Sequence, residues 1–303
     1  MRLSVALLVL MACGSVAGDV SSTSPPTATV AATTSTTNDP TTTAIDATTT
    51  VAPASTTSPD PLTDMPLVVS SSGLLGYHDG THWVPGEAIL EVEGGKEFQV
   101  IDLEGVTGTA VGSALEICEP SQTPMISMDP PLPVGHREPG AVAITGASWN
   151  PLPRVAALTG TPPPDFIEEA VEFIAGRGLA DPDPAVAQYL TFDLEGDGEK
   201  EELLVARRIP EDLFGNVESY SLVMMRKMLD TEGATILLEF SQGAADNAYV
   251  VLHAVTAIVD LNGDDKMEIV VDGYYYEGSG TTAWEYLDDD LGTVAALSAG
   301  CGA

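Results

Sequence analysis

Two short acidic segments, each lying between two apolar runs, constrain the fold of this chain more than any other feature. We name residues 193–201 loop one and residues 260–268 loop two. Both place oxygen-bearing side chains at their first, third, fifth and ninth positions, and such hard oxygen atoms are the ligands that Ca²⁺ prefers. The predicted calcium ligands at these positions are Asp193, Glu195, Asp197 and Glu201 in loop one, and Asp260, Asn262, Asp264 and Glu268 in loop two. The pattern therefore predicts two calcium-binding turns, each joining two strands.

The seventh position and the composition of each loop bear on the choice of metal. Glu199 and Lys266 hold that position, and each would offer its backbone carbonyl oxygen, as the seventh residue of an EF-hand loop does. Neither loop contains His or Cys, so Zn²⁺ is a poor match. Mg²⁺ stays open, although it prefers a stricter octahedron with retained waters. The alternative for each loop is a solvated acidic turn without an ion.

Small residues at fixed positions favour a tight backbone turn in both loops. Gly196 and Gly263 hold position four, and Gly198 holds position six of loop one. Asp265 replaces glycine at position six of loop two. Asp tolerates a left-handed backbone better than most residues, so we expect loop two to form the same turn at some energetic cost.

The flanking sequence distinguishes these loops from an EF-hand, which needs a bidentate Glu at position twelve and a helix on each side. Position twelve is Leu204 in loop one and Val271 in loop two, within apolar runs that favour strands. The pattern Asp-x-(Asp/Asn)-Gly-Asp-x-x-x-(Asp/Glu), followed by an apolar strand, instead resembles the calcium loops of FG-GAP and VCBS-type repeats. Those repeats occur in integrin-α β-propellers and in many exported bacterial proteins.

The resemblance covers residues 185–276, and the two loops are its only specific part. It implies structural calcium ions that fasten hairpins, bound at the loop positions named above. The Phe-Gly and Gly-Ala-Pro signatures of FG-GAP repeats are missing, and Glu195 stands where that family has Asp or Asn. Residues 272–303 also resemble uncharacterised actinobacterial exported proteins, a likeness that implies no activity.

The spacing of the loops predicts the fold class. Residue 260 follows residue 193 by 67 positions, and the four strand-like runs between them amount to about one propeller blade. The first half of the chain contains no further copy of the loop, and residues 65–303 are too few for a complete ring. We therefore expect a compact, mainly β domain with one α-helix and two blade-like segments, not a complete propeller.

The N-terminal residues predict export. Residues 1–18 are predicted to be a signal peptide, whose apolar run at residues 3–12 is too short to span a membrane as a stable helix. Leu10-Met11-Ala12-Cys13 resembles the lipobox of bacterial lipoproteins, in which the Cys is lipidated and becomes the new N-terminus. An ordinary signal peptide cut after Ala17 or Gly18 is the alternative. Both interpretations place the domain outside the cytoplasm, and the first anchors it to the membrane through Cys13.

Residues 19–64 consist mostly of Thr, Ser, Ala and Pro, and they predict a disordered stalk because they cannot bury enough apolar surface to offset their ordering entropy. Residues 65–164 are expected to form an N-terminal β-rich part, and residues 165–303 a helix plus a β-rich part with both loops. Asp165 is predicted to cap the helix, with Glu168 completing a capping box, and Gly176 or Gly178 to end it. Residues 88–92 and 248–259 are each predicted to be one strand.

Charge and cysteine content limit the partners. The formal net charge is −34 with only 11 basic residues, which argues against binding of nucleic acid or anionic lipid through the chain's own charge. Once Cys13 is processed, Cys118 and Cys301 remain, and an oxidising compartment favours one disulfide between them. Two unpaired thiols are the alternative.

The chain carries no recognisable catalytic motif: a nucleophile elbow, a His-Glu-x-x-His stretch and a Gly-rich phosphate loop are all missing from the sequence. The sequence therefore favours a non-enzymatic binding or structural module, stabilised by Ca²⁺, whose ligand is an unknown protein or glycan. An exported hydrolase whose residues converge only in three dimensions is the alternative. A cleft with a carboxylate pair would favour the hydrolase, whereas an exposed aromatic surface would favour binding.

Overall fold

The computed structural model of the chain describes residues 65–134, 140–210, 213–229, 232–246, 248–287 and 292–302. The predicted signal peptide at residues 1–18, the predicted lipidation site Cys13 and the predicted stalk at residues 19–64 lie outside the described residues. Within the described residues, no helix is long and apolar enough to cross a membrane. The described part is mainly β-structure with one α-helix, as the sequence predicts.

The first nine strands build one curled sheet and a small hairpin. They are β1 (Val68–Ser70), β2 (Gly73–His78), β3 (Trp83–Pro85), β4 (Glu97–Asp102), β5 (Gly105–Gly112), β6 (Glu116–Cys118), β7 (Thr123–Met125), β8 (Met128–Asp129) and β9 (Val142–Ile144). Sheet one is antiparallel with the order β3-β2-β1-β9-β4-β5-β8, and β6 pairs with β7 apart from it. Its concave side encloses an apolar core that includes Leu67, Leu74 and Phe98.

The remaining strands form two further sheets and a two-stranded ribbon. They are β10 (Ala157–Leu158), β11 (Ala185–Phe192), β12 (Glu201–Arg208), β13 (Phe214–Gly215), β14 (Tyr220–Leu229), β15 (Glu232–Gln242), β16 (Ala248–Tyr249), β17 (Leu252–Val259), β18 (Glu268–Tyr275), β19 (Gly278–Leu287) and β20 (Gly292–Gly302). Sheet two has the order β10-β11-β12-β14-β15, sheet three has the order β17-β18-β19-β20, and β13 pairs with β16. Four strands of sheet two and the four strands of sheet three each form an antiparallel meander. The prediction of two blade-like segments without a closed propeller is therefore confirmed.

The helix and the three sheets stack as four layers with an apolar core at each junction. Helix α1 (Pro164–Gly176) packs on one face of sheet two, around Phe166 and Tyr220. The opposite face of sheet two packs on sheet three. The far face of sheet three packs on the convex side of sheet one, where Val68 and Ile101 meet Val259. All eight residues of β17 are therefore buried.

The helix is confirmed, but its predicted capping is wrong. It begins at Pro164 after Pro163, and no side chain caps it. A proline at the first helical position has no N–H to satisfy and already has a helical φ, so the N-cap lies at Pro163, two residues before the predicted Asp165. Asp165 lies in the first turn, and its Oδ2 is 2.9 Å from Nη1 of Arg226 in sheet two. The predicted end at Gly176 is confirmed.

Two of the predicted strands differ from the structure. Residues 86–88 form a 3₁₀ turn, and residues 89–92 are irregular. Ile89 and Val92, three positions apart, point into the core while Leu90 is exposed, which is not the alternation of a strand. Residues 248–259 divide into β16 and β17, and β16 leaves the sheet to pair with β13.

The sulfur atoms of Cys118 in β6 and Cys301 in β20 lie at bonding distance, and their Cα atoms are 6.0 Å apart. The bond joins residues 183 positions apart and links the β6–β7 hairpin to the edge strand of sheet three. The pairing agrees with the sequence prediction of one disulfide.

Candidate metal centre

The two acidic loops share four internal hydrogen bonds. In each loop, the carboxylate at position one accepts hydrogen bonds from the backbone N–H groups at positions four and six. The carboxylate at position five accepts from the N–H at position seven, and the carboxylate at position nine accepts from the N–H at position two. The N···O distances are 2.6, 3.0, 2.8 and 2.7 Å for Asp193 (twice), Asp197 and Glu201. They are 2.6, 3.1, 2.9 and 2.7 Å for Asp260 (twice), Asp264 and Glu268. The side chains thus turn inward and hold both loops in one shape.

The backbone conformation explains the small residues in the loops. Gly196 and Gly263 at position four have φ values of 79° and 81°. At position six Gly198 has a φ of 88°, and Asp265 has a φ of 70°. The left-handed conformation expected for Asp265 is therefore confirmed, and both loops follow the same path despite this substitution.

The remaining predicted ligands lie within the same loops. Glu199 and Lys266 donate the backbone N–H groups that the fifth-position carboxylates accept. Asn262 accepts through Oδ1 from the N–H of Asp264 at 2.9 Å. Glu195 points toward β14, where its carboxylate meets Lys227. Among the residues that the structure describes, no three His, Cys, Asp or Glu side chains are grouped closely enough to surround a metal ion.

Burial makes three of the loop carboxylates costly to ionise. Glu201, Asp260 and Glu268 are each at most 2% exposed. Burial raises the pKa of all three, and for Glu268 it raises the pKa well above the ordinary value. The nearby charges of Asp260 and Asp264 raise the pKa of Glu268 further. A cation next to these groups would relieve both effects, which is the electrostatic requirement for a metal site.

A single segment connects the two loops. Arg154 donates from Nε to the carbonyl oxygen of Asp193 at 2.8 Å, and from Nη2 to that of Asp265 in loop two. Trp149 donates from Nε1 to the carbonyl oxygen of Asp260 at 3.0 Å. The N–H of Met267 donates directly to the carbonyl oxygen of Leu194 at 3.0 Å. The loops therefore lie side by side between sheets two and three.

The sequence reasoning missed Arg154, Trp149 and Lys227. Arg154 and Trp149 precede the loops in an irregular segment and bond to backbone atoms, so no side-chain pattern indicated them. Lys227 lies 26 positions after Glu201, in a strand predicted only as an apolar run. Its position follows from the pairing of β12 with β14, and a search for charged residues within that apolar run, which contains Arg226 and Lys227, could have found it.

Two other surface features bear on function. A cleft of about 660 Å³ is lined by Asp181, Asp183, Arg208 and Glu218, among others. Arg208 pairs with Glu218 at 3.0 Å, which neutralises one of these carboxylates. An aromatic cluster lies elsewhere, and we define it as Phe214, Tyr249 and Tyr276. Its ring centroids are 4.6–5.7 Å apart, and Tyr249 and Tyr276 are 50% and 58% exposed.

His253 in β17 is a buried titratable group away from the loops. Burial lowers its pKa from 6.5 to about 4, and Oε2 of Glu239 lies 3.7 Å from its Nε2. Burial also raises the pKa of Glu239, which accepts a hydrogen bond from Trp284 at 3.2 Å. The native chain therefore keeps His253 neutral at pH values at which the unfolded chain protonates it.

This difference predicts acid destabilisation. Because the folded pKa lies below the unfolded one, the contribution of His253 is present above pH 6.5 and is lost as the pH falls toward 4. Between pH 7 and pH 5 the loss from His253 should reach about 2 kcal/mol. His253→Gln should lose that much less over the same interval, as urea unfolding at both pH values would show. Equal losses in the two proteins would contradict the assignment.

Comparison of the chain with protein-family models, with curated proteins and with solved structures finds no match. The resemblances to FG-GAP and VCBS-type repeats and to actinobacterial exported proteins therefore stay predictions. What is established is the geometry: two loops of the same construction, side by side, each between two strands of a four-stranded meander.

Proposed function

We propose that this protein is an extracytoplasmic binding or structural module, stabilised by Ca²⁺ at its acidic loops and held at the membrane by a lipid on Cys13. The observation that carries the calcium proposal is the construction of the loops, where buried carboxylates turn inward on a left-handed backbone. Oxygen donors without nitrogen or sulfur favour a hard divalent cation. An ion there would hold strand ends together, which is a structural role.

The aromatic cluster supports a binding role. Exposed rings of Tyr249 and Tyr276 stack within 5.7 Å of each other, and such amphipathic rings are enriched at recognition surfaces. The ligand would be a protein or a glycan, as the sequence suggests, because the acidic chain disfavours nucleic acid. In the cleft at Asp181, Glu218 is paired with Arg208, but the carboxylates of Asp181 and Asp183 also line it, so an exported hydrolase stays the alternative function.

Thermal unfolding of the full chain tests the calcium proposal. If the dissociation constant is about 10⁻⁴ M, as in many extracellular modules, 10 mM Ca²⁺ should add about 2.7 kcal/mol to the free energy of unfolding. That corresponds to a rise in Tm of about 5–10 °C, and EDTA should reverse it. The control is the same concentration of Mg²⁺, which should give a smaller rise. A Tm that neither Ca²⁺ nor EDTA changes would contradict the proposal.

A further inference from the structure

A cation from a neighbouring strand already lies against loop one: it is the ammonium group of Lys227 in β14. This Nζ contacts Oε2 of Glu195, lies 3.5 Å from Oε1 of Glu201, and sits 4.7 Å from the ring centroid of Tyr286. The Lys227 side chain is only 8% exposed. A buried ammonium loses its hydration and persists as a charge only beside opposite charge. The carboxylates at positions three and nine of loop one supply that charge.

Loop two differs at the corresponding place. In sheet two, Glu202 of β12 pairs with Arg226 of β14, so the next pair along that ladder is Glu201 with Lys227. In sheet three, Ile269 of β18 pairs with Trp284 of β19, so the next pair is Glu268 with Glu285. The position that holds Lys227 beside loop one thus holds Glu285 beside loop two. That carboxylate adds negative potential at Glu268, and its Oε2 accepts from Trp83 at 2.8 Å.

The residue at position three of the loop also differs between the two loops, as does the strand position held by Lys227 or Glu285. Loop one has Glu195, whose side chain reaches the ammonium of Lys227, whereas loop two has the neutral Asn262. These two differences lie at contacting places, and they come in addition to the sequence differences at positions six, seven and eight of the loops. A Ca²⁺ ion coordinated by Glu195 and Glu201 would lie within a few ångströms of Lys227. The repulsion between the two cations would be strong in so buried a place, and displacing the lysine would leave it without these carboxylates.

We infer that Lys227 is the built-in cation of loop one, so that only loop two takes a calcium ion. The inference rests on the proposed calcium function of the loops and assigns that function to one of them. Loop one is held by an internal ion pair and needs no metal. Loop two depends on the calcium concentration outside the cell. The expected stoichiometry is one Ca²⁺ per chain.

Matched substitutions at position one test this assignment. Calcium binding to the full chain is measured by isothermal titration calorimetry and native mass spectrometry, with circular dichroism to confirm the fold. Asp193→Asn should keep one Ca²⁺ with less than a threefold change in Kd. Asp260→Asn should lose binding or weaken it by more than 100-fold. Binding that is lost with Asp193→Asn and kept with Asp260→Asn would overturn the inference.

Reciprocal substitutions at the strand position test the role of Lys227. Lys227→Gln should allow a second Ca²⁺ to bind, and Glu285→Lys should abolish binding. If Lys227→Gln or Glu285→Lys fails to fold, the comparison of Asp193→Asn with Asp260→Asn decides which loop binds calcium. Two ions bound by the wild-type chain would overturn the inference but leave the proposed calcium function intact. No ion bound by the wild-type chain would overturn the proposed function itself, so the two failures are distinguishable.

Discussion

Replacing Asp272 by Ala is expected to lower the free energy of unfolding by about 4 kcal/mol. Asp272 lies in β18, where its carboxylate accepts from Thr256 at 2.6 Å, Tyr274 at 2.8 Å and Thr281 at 2.6 Å. All four residues are at most 1% exposed. Burial raises the pKa of Asp272, and the three hydroxyl donors oppose that rise. The Ala variant loses all three bonds and leaves the hydroxyl groups buried without this acceptor.

The matched control is Asp272→Asn, which keeps the size of the side chain and one acceptor oxygen. Its free energy of unfolding should fall by only about 1–2 kcal/mol, because the NH₂ group of Asn, which is a donor, replaces one oxygen that accepts from a hydroxyl group. Thr281→Val, which removes one donor at constant shape, should lose about the same. Urea unfolding at pH 7 measures all three. An Ala variant within 1 kcal/mol of the wild type would show that the buried network contributes little to stability.

Removing the Cys118–Cys301 bond is expected to destabilise the domain by about 3–5 kcal/mol. The bond closes a segment of 183 positions, and in the chain-entropy model a cross-link over so long a loop restricts the unfolded state strongly. The double variant Cys118→Ser with Cys301→Ser should therefore unfold at lower denaturant concentration. Its slope with denaturant should rise, because its unfolded state is less compact.

Reducing agent provides the internal control for this second result. It should shift the wild-type unfolding curve toward that of the double Ser variant and leave the variant unchanged. A wild-type curve that does not respond after complete reduction, confirmed by thiol counting, would contradict the expected contribution. The comparison is made at fixed calcium concentration, because an ion that binds only the native state shifts stability independently.

The parts of the fold that the sequence predicted are those in which local pattern decides the outcome. Gly196 and Gly263 needed a left-handed backbone, and the apolar runs around both loops needed strand pairing. The stripe that includes Phe166 and Ile174 decided the helix. Local signals failed where two of them competed, since prolines 163 and 164 rather than Asp165 set the start of the helix.

Apart from the Cys118–Cys301 disulfide, contacts between distant residues could not be predicted from one sequence. Lys227 and Glu285 differ in charge at equivalent strand positions, yet only the register of β14 and β19 shows that they are equivalent. The buried bonds of Asp272 also need the pairing of β18 with β17 and β19. Sequence alone therefore indicated two like loops, and the structure shows that their electrostatic surroundings differ.

The position of sheet three between its two neighbours has a consequence for how the domain comes apart. Its faces contribute to the apolar core shared with sheet two and to the one shared with sheet one. Losing sheet three would expose both interfaces at once, so partial melting of either half carries a large penalty. We therefore expect the described residues on both sides of the predicted boundary near residue 164 to unfold together, as one cooperative unit.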